Sequence, residues 1–571
     1  MSDGVSARPT ICLNMIVRNE AHIVREVLDS VAAYITSWVV VDTGSDDGTQ
    51  DVIRNQMAGL GIPGELHECP WRNFGHNRSE ALALAQGHGD YIWVMDADDI
   101  VVGTPDLSRL TVDAYLMRYA GDLMYWRRQL FRSGLPWRYE GVVHEYSVCE
   151  SPFVEERLDG DYYIHSRRLG ARNLDPQKYA RDAELLLAEV ERDPDDARSV
   201  FYLAQSYFDA GDFVNARKWY ARRAEMGGWD EETYLAKFRL AEAMSRLKEP
   251  WPDIQDQYLT AWEFRPTRAE PLHAIAFHYR THERYRLGYL FAERAAQIPL
   301  PNDTLFVAAD IYAFRAVDEQ AVCASWTGMH AEAFALCRRL LARADIPDTD
   351  RRRIAGNRDL SAPTVIEAAS SYPERLAQCL VAGPRDCEVT VSLLAGDRAV
   401  TELTLNSFLR CCADVTRVGR FVVLAAGLSA EDRAALLERY RFLEFISADS
   451  PDTHLARLRA EVGGRFWLHL GQGWRFFATD NLVTRLTAVL DAEPEVFQVG
   501  VNYTDATKLT GACASEDAVH RAPGAGRYVL TDVVATGPAM YDTARLNRAL
   551  GDDNAEVRSA SLDEVLCINL D

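Results

Sequence analysis

Gly89-Asp90-Tyr91-Ile92-Trp93-Val94-Met95-Asp96-Ala97-Asp98-Asp99 is the stretch on which the reading of this chain turns. An apolar, aromatic-rich run ends abruptly in carboxylates. Runs of this kind are buried strands, and open α/β sheets bind ligands beyond the carboxyl ends of their strands. Asp96 and Asp98, separated by one small residue, are expected to leave the strand's end together as hard oxygen donors. Mg²⁺ or Mn²⁺ needs only one or two such carboxylates when substrate phosphate completes its shell. An isolated Asp-x-Asp more often caps a helix or closes a solvated turn, so the surrounding pattern has to decide.

Upstream, Trp38-Val39-Val40-Val41-Asp42-Thr43-Gly44-Ser45 repeats the plan of strand, carboxylate and glycine-bearing loop, with a helical segment from Gln50 to about Met57. Thr10 to Val17 is an earlier strand, closed by Arg18-Asn19-Glu20, and Ile23, Val27, Leu28 and Val31 then fall on one helical face. Strands alternating with helices imply a parallel α/β sheet.

Together, Met15-Ile16-Val17-Arg18-Asn19-Glu20, Val41-Asp42-Thr43-Gly44-Ser45, Asn77-Arg78-Ser79-Glu80-Ala81 and Asp96-Ala97-Asp98 resemble the family 2 glycosyltransferases of the GT-A (Rossmann-like) fold. The resemblance covers about the first 170 residues. It is similar to the bacterial subgroup whose catalytic domain precedes tetratricopeptide repeats, which includes peptide S-glycosyltransferases. It implies that Val17, Asn19 and Glu20 border the donor site and that Asp42 accepts hydrogen bonds from the nucleobase of a UDP- or GDP-sugar. A carboxylate accepts but cannot donate, which suits the N–H groups of uracil or guanine. It further implies that Asp96 lies near ribose or metal, that Asp98 coordinates the metal on the diphosphate, and that Asn77 and Arg78 help hold the donor. Arg78 is equally suited to a surface ion pair.

The leaving group is a nucleoside diphosphate whose charge grows as the glycosidic bond breaks, so Mn²⁺ or Mg²⁺ would serve as Lewis acid and template. An inverting transfer also needs a base on the acceptor hydroxyl or thiol. By order along the chain, Gly141 resembles the acceptor-side loop, Glu145 the base and His165 a metal ligand. Glu145 lacks the usual acidic neighbour, which leaves Glu140 as a rival base and His144 as a rival ligand. A lone histidine on an apolar strand is more often a satisfied core residue.

From about Asp175 to Leu360 the pattern is helical and repetitive. After Asp193-Pro194, the residues Val200, Leu203, Ala204, Tyr207, Ala216 and Tyr220 match tetratricopeptide spacing, with Val200 replacing the usual Trp and Arg223 the late small residue. Looser copies span Tyr234 to Pro266, Leu272 to Pro299 and Trp326 to Leu341. Stacked helical pairs bury a continuous core and leave a concave face. That face is expected to bind an acceptor polypeptide or pair with a second copy of the chain, unless the repeats are only a spacer.

The third region repeats the opening layout. Val389 to Leu394 and the helical Glu402 to Cys411 follow the first strand and helix, and Arg420 to Gly427 can be laid on the segment ending Val41-Asp42-Thr43-Gly44. Ala425 then stands where Asp42 stood. Phe466 to Trp474 lies on Tyr91 to Asp99, with Gly471 and Gly473 replacing Asp96 and Asp98. The expectation is a second, degenerate GT-A-like domain without its metal- and base-binding acids; the rival is an unrelated α/β domain.

The expected organisation is therefore an α/β GT-A domain over 1–172, an all-α tetratricopeptide-like domain over 173–360, a linker over 361–386 and a degenerate α/β domain over 387–571. A net charge of −23 disfavours nonspecific binding to nucleic acid or anionic membrane. The 11 cysteines are scattered and odd in number, which argues against a disulfide framework. Met1 to Thr10 lacks an apolar signal core and no run approaches the ~20 apolar residues of a membrane span, so a cytoplasmic location is expected. The function expected is metal-dependent, inverting transfer of a sugar from a nucleotide donor to a peptide, protein or glycan acceptor. The alternative is a non-catalytic repeat scaffold or carbohydrate-binding protein.

Overall fold

The structure, a computed structural model, describes residues 8–382, 388–447, 453–550 and 558–570. The chain divides into two compact units, Met1–Ile275 with Arg294–Arg315, and Ala276–Glu293 with Ala316–Asp571.

In the first unit the chain runs β1 (Ile11–Val17), α1 (Val24–Val31), β2 (Ser37–Asp42), α2 (Thr49–Leu60), β3 (Gly64–Glu68), α3 (Phe74–Leu84) and β4 (Tyr91–Val94). It continues through β5 (Asp99–Gly103), β6 (Ala114–Tyr119), β7 (Tyr125–Arg132), β8 (Trp137–Glu140), β9 (Tyr146–Cys149), β10 (Glu155–Arg157) and β11 (Tyr162–Ser166). The sheet order is β3-β2-β1-β4-β7-β6-β11-β5, with β10 beside β6. β3, β2, β1 and β4 are parallel, and β7 joins β4 antiparallel. The central strands are buried on both faces, which is why β1 and β2 read as near-continuous apolar runs. α1 buries Val24, Val27, Leu28 and Val31, one stripe at helical spacing. Asn14, the one polar side chain inside β1, is satisfied by the carbonyls of Val39 and Ala81 and so ties β1 to β2 and α3.

Five further helices belong wholly to this unit: α4 (Lys178–Arg192), α5 (Ala197–Asp209), α6 (Phe213–Glu225), α7 (Asp230–Arg246) and α8 (Trp251–Phe264). Val200, Leu203, Ala204, Ala216 and Tyr220 are fully buried, as the repeat spacing requires. Arg223, at the position of a small residue, is also buried and is neutralised by Glu232 at 3.0 Å. α9 (Glu270–Thr281) and α10 (Tyr285–Ala296) cross the division between units. After them the chain returns to the sheet: Met124 and Val307 form an antiparallel bridge, and the Trp126 N–H donates to the Thr304 carbonyl at 2.8 Å.

The second unit holds α11 (Ala316–Trp326), α12 (His330–Leu341), α13 (Asp348–Ala369) and α14 (Glu374–Ala382). Then come β12 (Val389–Ala395), α15 (Arg398–Cys411), β13 (Arg420–Ala425), α16 (Ala430–Arg439), β14 (Leu443–Ser447), α17 (His454–Ala460), β15 (Phe466–His469) and β16 (Trp474–Phe476). The chain closes with α18 (Leu482–Ala492), β17 (Val496–Gly500), β18 (His520–Ala522), β19 (Gly526–Thr531), β20 (Ala539–Asp542), α19 (Thr543–Ala549), β21 (Arg558–Leu562) and β22 (Cys567–Asn569). Its main sheet has the order β14-β13-β12-β15-β20-β17-β21-β19-β18.

Two boundaries in the structure differ from the expected organisation. The helices expected to form a separate domain over 173–360 are shared between the two units. The segment 361–386, expected as a linker, is helical to Ala369 and again from Glu374 to Ala382, while residues 383–387 lie outside the described ones. Pro363 sits inside α13, and Ala362, Ile366, Ala369, Ala377 and Leu380 bury themselves in the second unit's core. That burial outweighs the helix-breaking tendency of one proline. Among the described residues no helix is long and apolar enough to cross a membrane.

Candidate active site

A cavity of ≈ 1570 Å³ opens at the carboxyl ends of β1 and β4. Val17, Asn19, Glu20, Arg78, Asp96, Asp98, His144, Glu145 and His165 all line it, so most of the residues expected from the sequence meet there. Asn19 adopts φ 58°, a left-handed conformation that asparagine tolerates better than most residues. Its N–H donates to Ser45 Oγ and its Oδ1 accepts from the Asp46 N–H, which locks the β1 and β2 loops together. Glu20 accepts from the Ala171 N–H; burial, with Asp98 nearby, pushes its carboxyl up to about 7.

Asp42 lies at the end of β2, opposite Val17. Its Oδ1 accepts from the Gly44 and Ser45 N–H groups, both at 2.8 Å, while its Oδ2 is buried with no partner among the described residues. Unpaired buried oxygens are costly and uncommon in folded proteins; Asp42 itself is buried and does not line the cavity.

The acids at the end of β4 are divided. Asp96 is clasped by Arg78 through Oδ1 and by Arg127 through Oδ2. Burial alone would raise its carboxyl, but the two guanidiniums outweigh burial and hold it well below the usual carboxylate range. Both oxygens of Asp96, expected near ribose or metal, are therefore paired with arginines. Asp98 Oδ2 accepts from the Gly170 N–H at 3.1 Å and the Asn173 amide at 3.0 Å. Asp98 Oδ1 has no hydrogen bond among the described residues. Asp99 turns inward, where its Oδ2 accepts from the Tyr119 hydroxyl; burial and the neighbouring Asp96 push its carboxyl up to about 8.

Glu145 lies across the same arginines. Its Oε1 accepts from Arg78 Nε and lies 3.5 Å from Arg127 Nη2, and the side chain is only 7% exposed. Its rival Glu140 does not reach the cavity; it stays on the β8–β9 hairpin, held by Arg138 and the Tyr146 hydroxyl. Nor does Asn77. That side chain is fully buried, accepting from the Arg72 N–H and donating to the Pro70 carbonyl, so it shapes the loop before α3 instead of facing a ligand. His144 stacks on Tyr202 at 4.2 Å, and burial with the cations Arg172, Lys178 and Arg198 pushes its imidazole down to about 3. His165 stands on β11 opposite Ile100.

Sequence reasoning missed Arg127 and the far wall. Arg127 and Arg128 are adjacent on β7, and strand alternation sends Arg127 to Asp96 while Arg128 turns to Glu155. The alternation was legible in Tyr125-Trp126-Arg127-Arg128; the partners were not. The far wall comes from the helices: Lys178 and Tyr179 of α4, Tyr202 and Asp209 of α5, Arg239 of α7 and the returning Thr304 to Phe306.

Residues 12–111 match the family model described as Glycosyl transferase family 2. The N-terminal sheet is a family 2 glycosyltransferase domain. The SPbeta prophage-derived glycosyltransferase SunS of Bacillus subtilis is 28% identical over 154 residues, 24% of this chain and 35% of its own length. A TPR repeat-containing protein of Synechococcus elongatus is 31% identical over 152 residues, 24% of this chain and 36% of its own. The match thus spans about a third of these curated relatives. Among solved structures, a mannosyltransferase from Pyrobaculum calidifontis in complex with GDP-Man and Mn²⁺ is 26% identical, covering 21% of this chain and 39% of its own. Its TM-score of 0.17 carries no argument about the fold.

Proposed function

We propose that the protein is a metal-dependent, inverting glycosyltransferase of the cytoplasm that moves a sugar from a UDP- or GDP-sugar to a peptide, protein or glycan acceptor. The observation that carries this reading is the convergence of Asp98, Asp96, Arg78 and Glu145 on one cavity beside the end of β1. Asp42 Oδ2, unpartnered at the end of β2 beside the cavity-lining Thr43, is the acceptor we assign to a nucleobase N–H. The cavity also exceeds the ~300–1,000 Å³ of ordinary small-ligand pockets, which supports room for an acceptor beside the donor.

Among the described residues no group of three or more His, Cys, Asp or Glu side chains gathers closely enough to hold a metal ion by protein ligands alone. The donor set still fits Mn²⁺ or Mg²⁺ bound through a single carboxylate, Asp98, with donor phosphate and water completing the shell. When bound, such an ion supplies Lewis acidity toward the departing diphosphate. The chain's own residues do the rest. Asp42 orients the nucleobase, Arg78 meets the anionic donor, and Glu145 takes the acceptor proton. Lys178, Tyr202 and Phe306, on the far wall, position the acceptor.

The second α/β sheet we read as a degenerate copy of the first, with Gly471 and Gly473 in place of the acids. The deciding experiment is a screen of purified full-length protein against several nucleotide sugars, with and without Mn²⁺, following sugar-nucleotide consumption. Metal-dependent turnover of one donor is expected. Binding without turnover, for every acceptor class tried, would favour the scaffold reading.

A further inference from the structure

Asp96, Glu145, Arg78 and Arg127 form a closed quartet in which two acids and two guanidiniums satisfy one another. Arg78 bridges Asp96 and Glu145, and Arg127 does the same at 2.9 Å and 3.5 Å. Arg78 and Glu145 are 6% and 7% exposed, whereas Arg127 is 27% exposed and borders the open cavity. Next to the quartet, Tyr139 carries the Arg78 guanidinium 5.9 Å over its ring, and its buried hydroxyl has no partner among the described residues. In this arrangement a carboxylate that should accept a proton is neutralised by two cations, and two cations that should meet a diphosphate are neutralised by carboxylates.

We propose that Arg127 is a catalytic residue, and that Arg78 and Arg127 exchange partners when donor binds, leaving Glu145 for the diphosphate. This rests on the glycosyltransferase reading above. Guanidinium forks match phosphate oxygens as well as carboxylates, so the exchange keeps each arginine paired while the donor anion enters. In the transfer step the bond from the anomeric carbon to the diphosphate oxygen breaks, and its electron pair stays on that oxygen beside Arg127. The acceptor oxygen or sulfur forms the new bond to the anomeric carbon, and its proton passes to the Glu145 carboxylate, then to solvent. Without donor the base stays quenched in its ion pairs. The exchange therefore couples base activation to donor occupancy.

The test uses the full-length protein and its nucleoside diphosphate product as the binding ligand, in metal-free buffer by titration calorimetry, together with donor turnover in Mn²⁺. Glu145→Gln removes the competing carboxylate, so nucleoside diphosphate affinity should rise, on the order of tenfold. A merely structural quartet predicts weaker binding, because its loss would loosen the site. Arg127→Gln should lower kcat on the order of 10²–10³-fold, the range for losing one donor to a developing oxyanion, and Arg127→Lys should recover part of it. If Arg127→Gln does not fold, Arg127→Lys and the Glu145→Gln titration decide. Unchanged or weaker binding by Glu145→Gln, or a parental kcat in Arg127→Gln or Arg127→Lys, overturns the exchange while leaving the glycosyltransferase reading intact. A parental protein that binds no nucleoside diphosphate and consumes no donor overturns both.

Discussion

The two α/β sheets share a framework and differ where chemistry would occur. In one, β1 is flanked by β2 and β4; in the other, β12 is flanked by β13 and β15, with the same parallel senses. Val17 pairs with Asp42 at the end of the first, and Ala395 with Ala425 at the end of the second. The following glycines, Gly44 and Gly427, both have φ 110°. The Met95 N–H donates to Asn14 and the Leu470 N–H to Ser392, so Gly471 and Gly473 occupy the steps of Asp96 and Asp98. From β4 and β15 outward the sheets again run antiparallel, antiparallel, parallel.

The contents then diverge. Beyond β4 lies the large cavity with its charged quartet. Beyond β15 the chain folds into the two-stranded β16–β22 sheet, and the Trp474 indole packs against Gly471 and Gly537 so closely that a Cβ on either glycine would press on the ring. A small cavity of ≈ 410 Å³ lies near Gly396 and Gly427 at that edge. Two sheets can thus share their core pairing and differ at their strand ends, since strand burial and end-loop chemistry involve different residues.

The comparison breaks most sharply at Glu145, the proposed base. Glu145→Gln should lower the transfer rate ~10²–10⁴-fold, the usual contribution of a general base, while Glu140→Gln stays near parental because Glu140 lies on the hairpin. Steady-state kinetics on both proteins checks this, and a slow Glu140→Gln enzyme with normal Glu145→Gln would exchange their roles. Next comes Asp98, the proposed metal carboxylate. Asp98→Asn should lower Mn²⁺-dependent turnover ~10²–10³-fold, and chelation of the parental protein should do the same; parental turnover by Asp98→Asn would remove the Asp-x-Asp assignment.

Asp42→Asn should raise the donor Kd on the order of 10- to 100-fold, about 1.5–3 kcal/mol for a charged hydrogen bond, because an amide N–H₂ would meet the nucleobase N–H. Its counterpart Ala425→Asp should confer no nucleotide affinity, which calorimetry on both variants would show. The smallest effect belongs to the second sheet. Gly471 and Gly473 have φ 70° and 80°, so Gly473→Asp should cost about 1–2 kcal/mol of stability and gain no Mn²⁺ binding. A metal-stabilised melting transition in Gly473→Asp would show that the second site lacks only its acids.

Much of this was legible in the residues alone. The runs from Ile11, Trp38 and Tyr91, the acids closing two of them, and the uncharged residues Ala425, Gly471 and Gly473 at the matching steps of the second sheet were all readable, since strand burial and strand-end chemistry are written within a few neighbouring positions. What only the tertiary structure decided is which charges meet. Asp96 is claimed by arginines 18 and 31 residues away in sequence, Asn77 turns inward to Pro70 and Arg72, and helices beyond residue 172 wall the cavity. Those partnerships depend on how sheet and helices bring distant side chains together in low dielectric, where a buried charge must find a partner, and no local pattern records that choice.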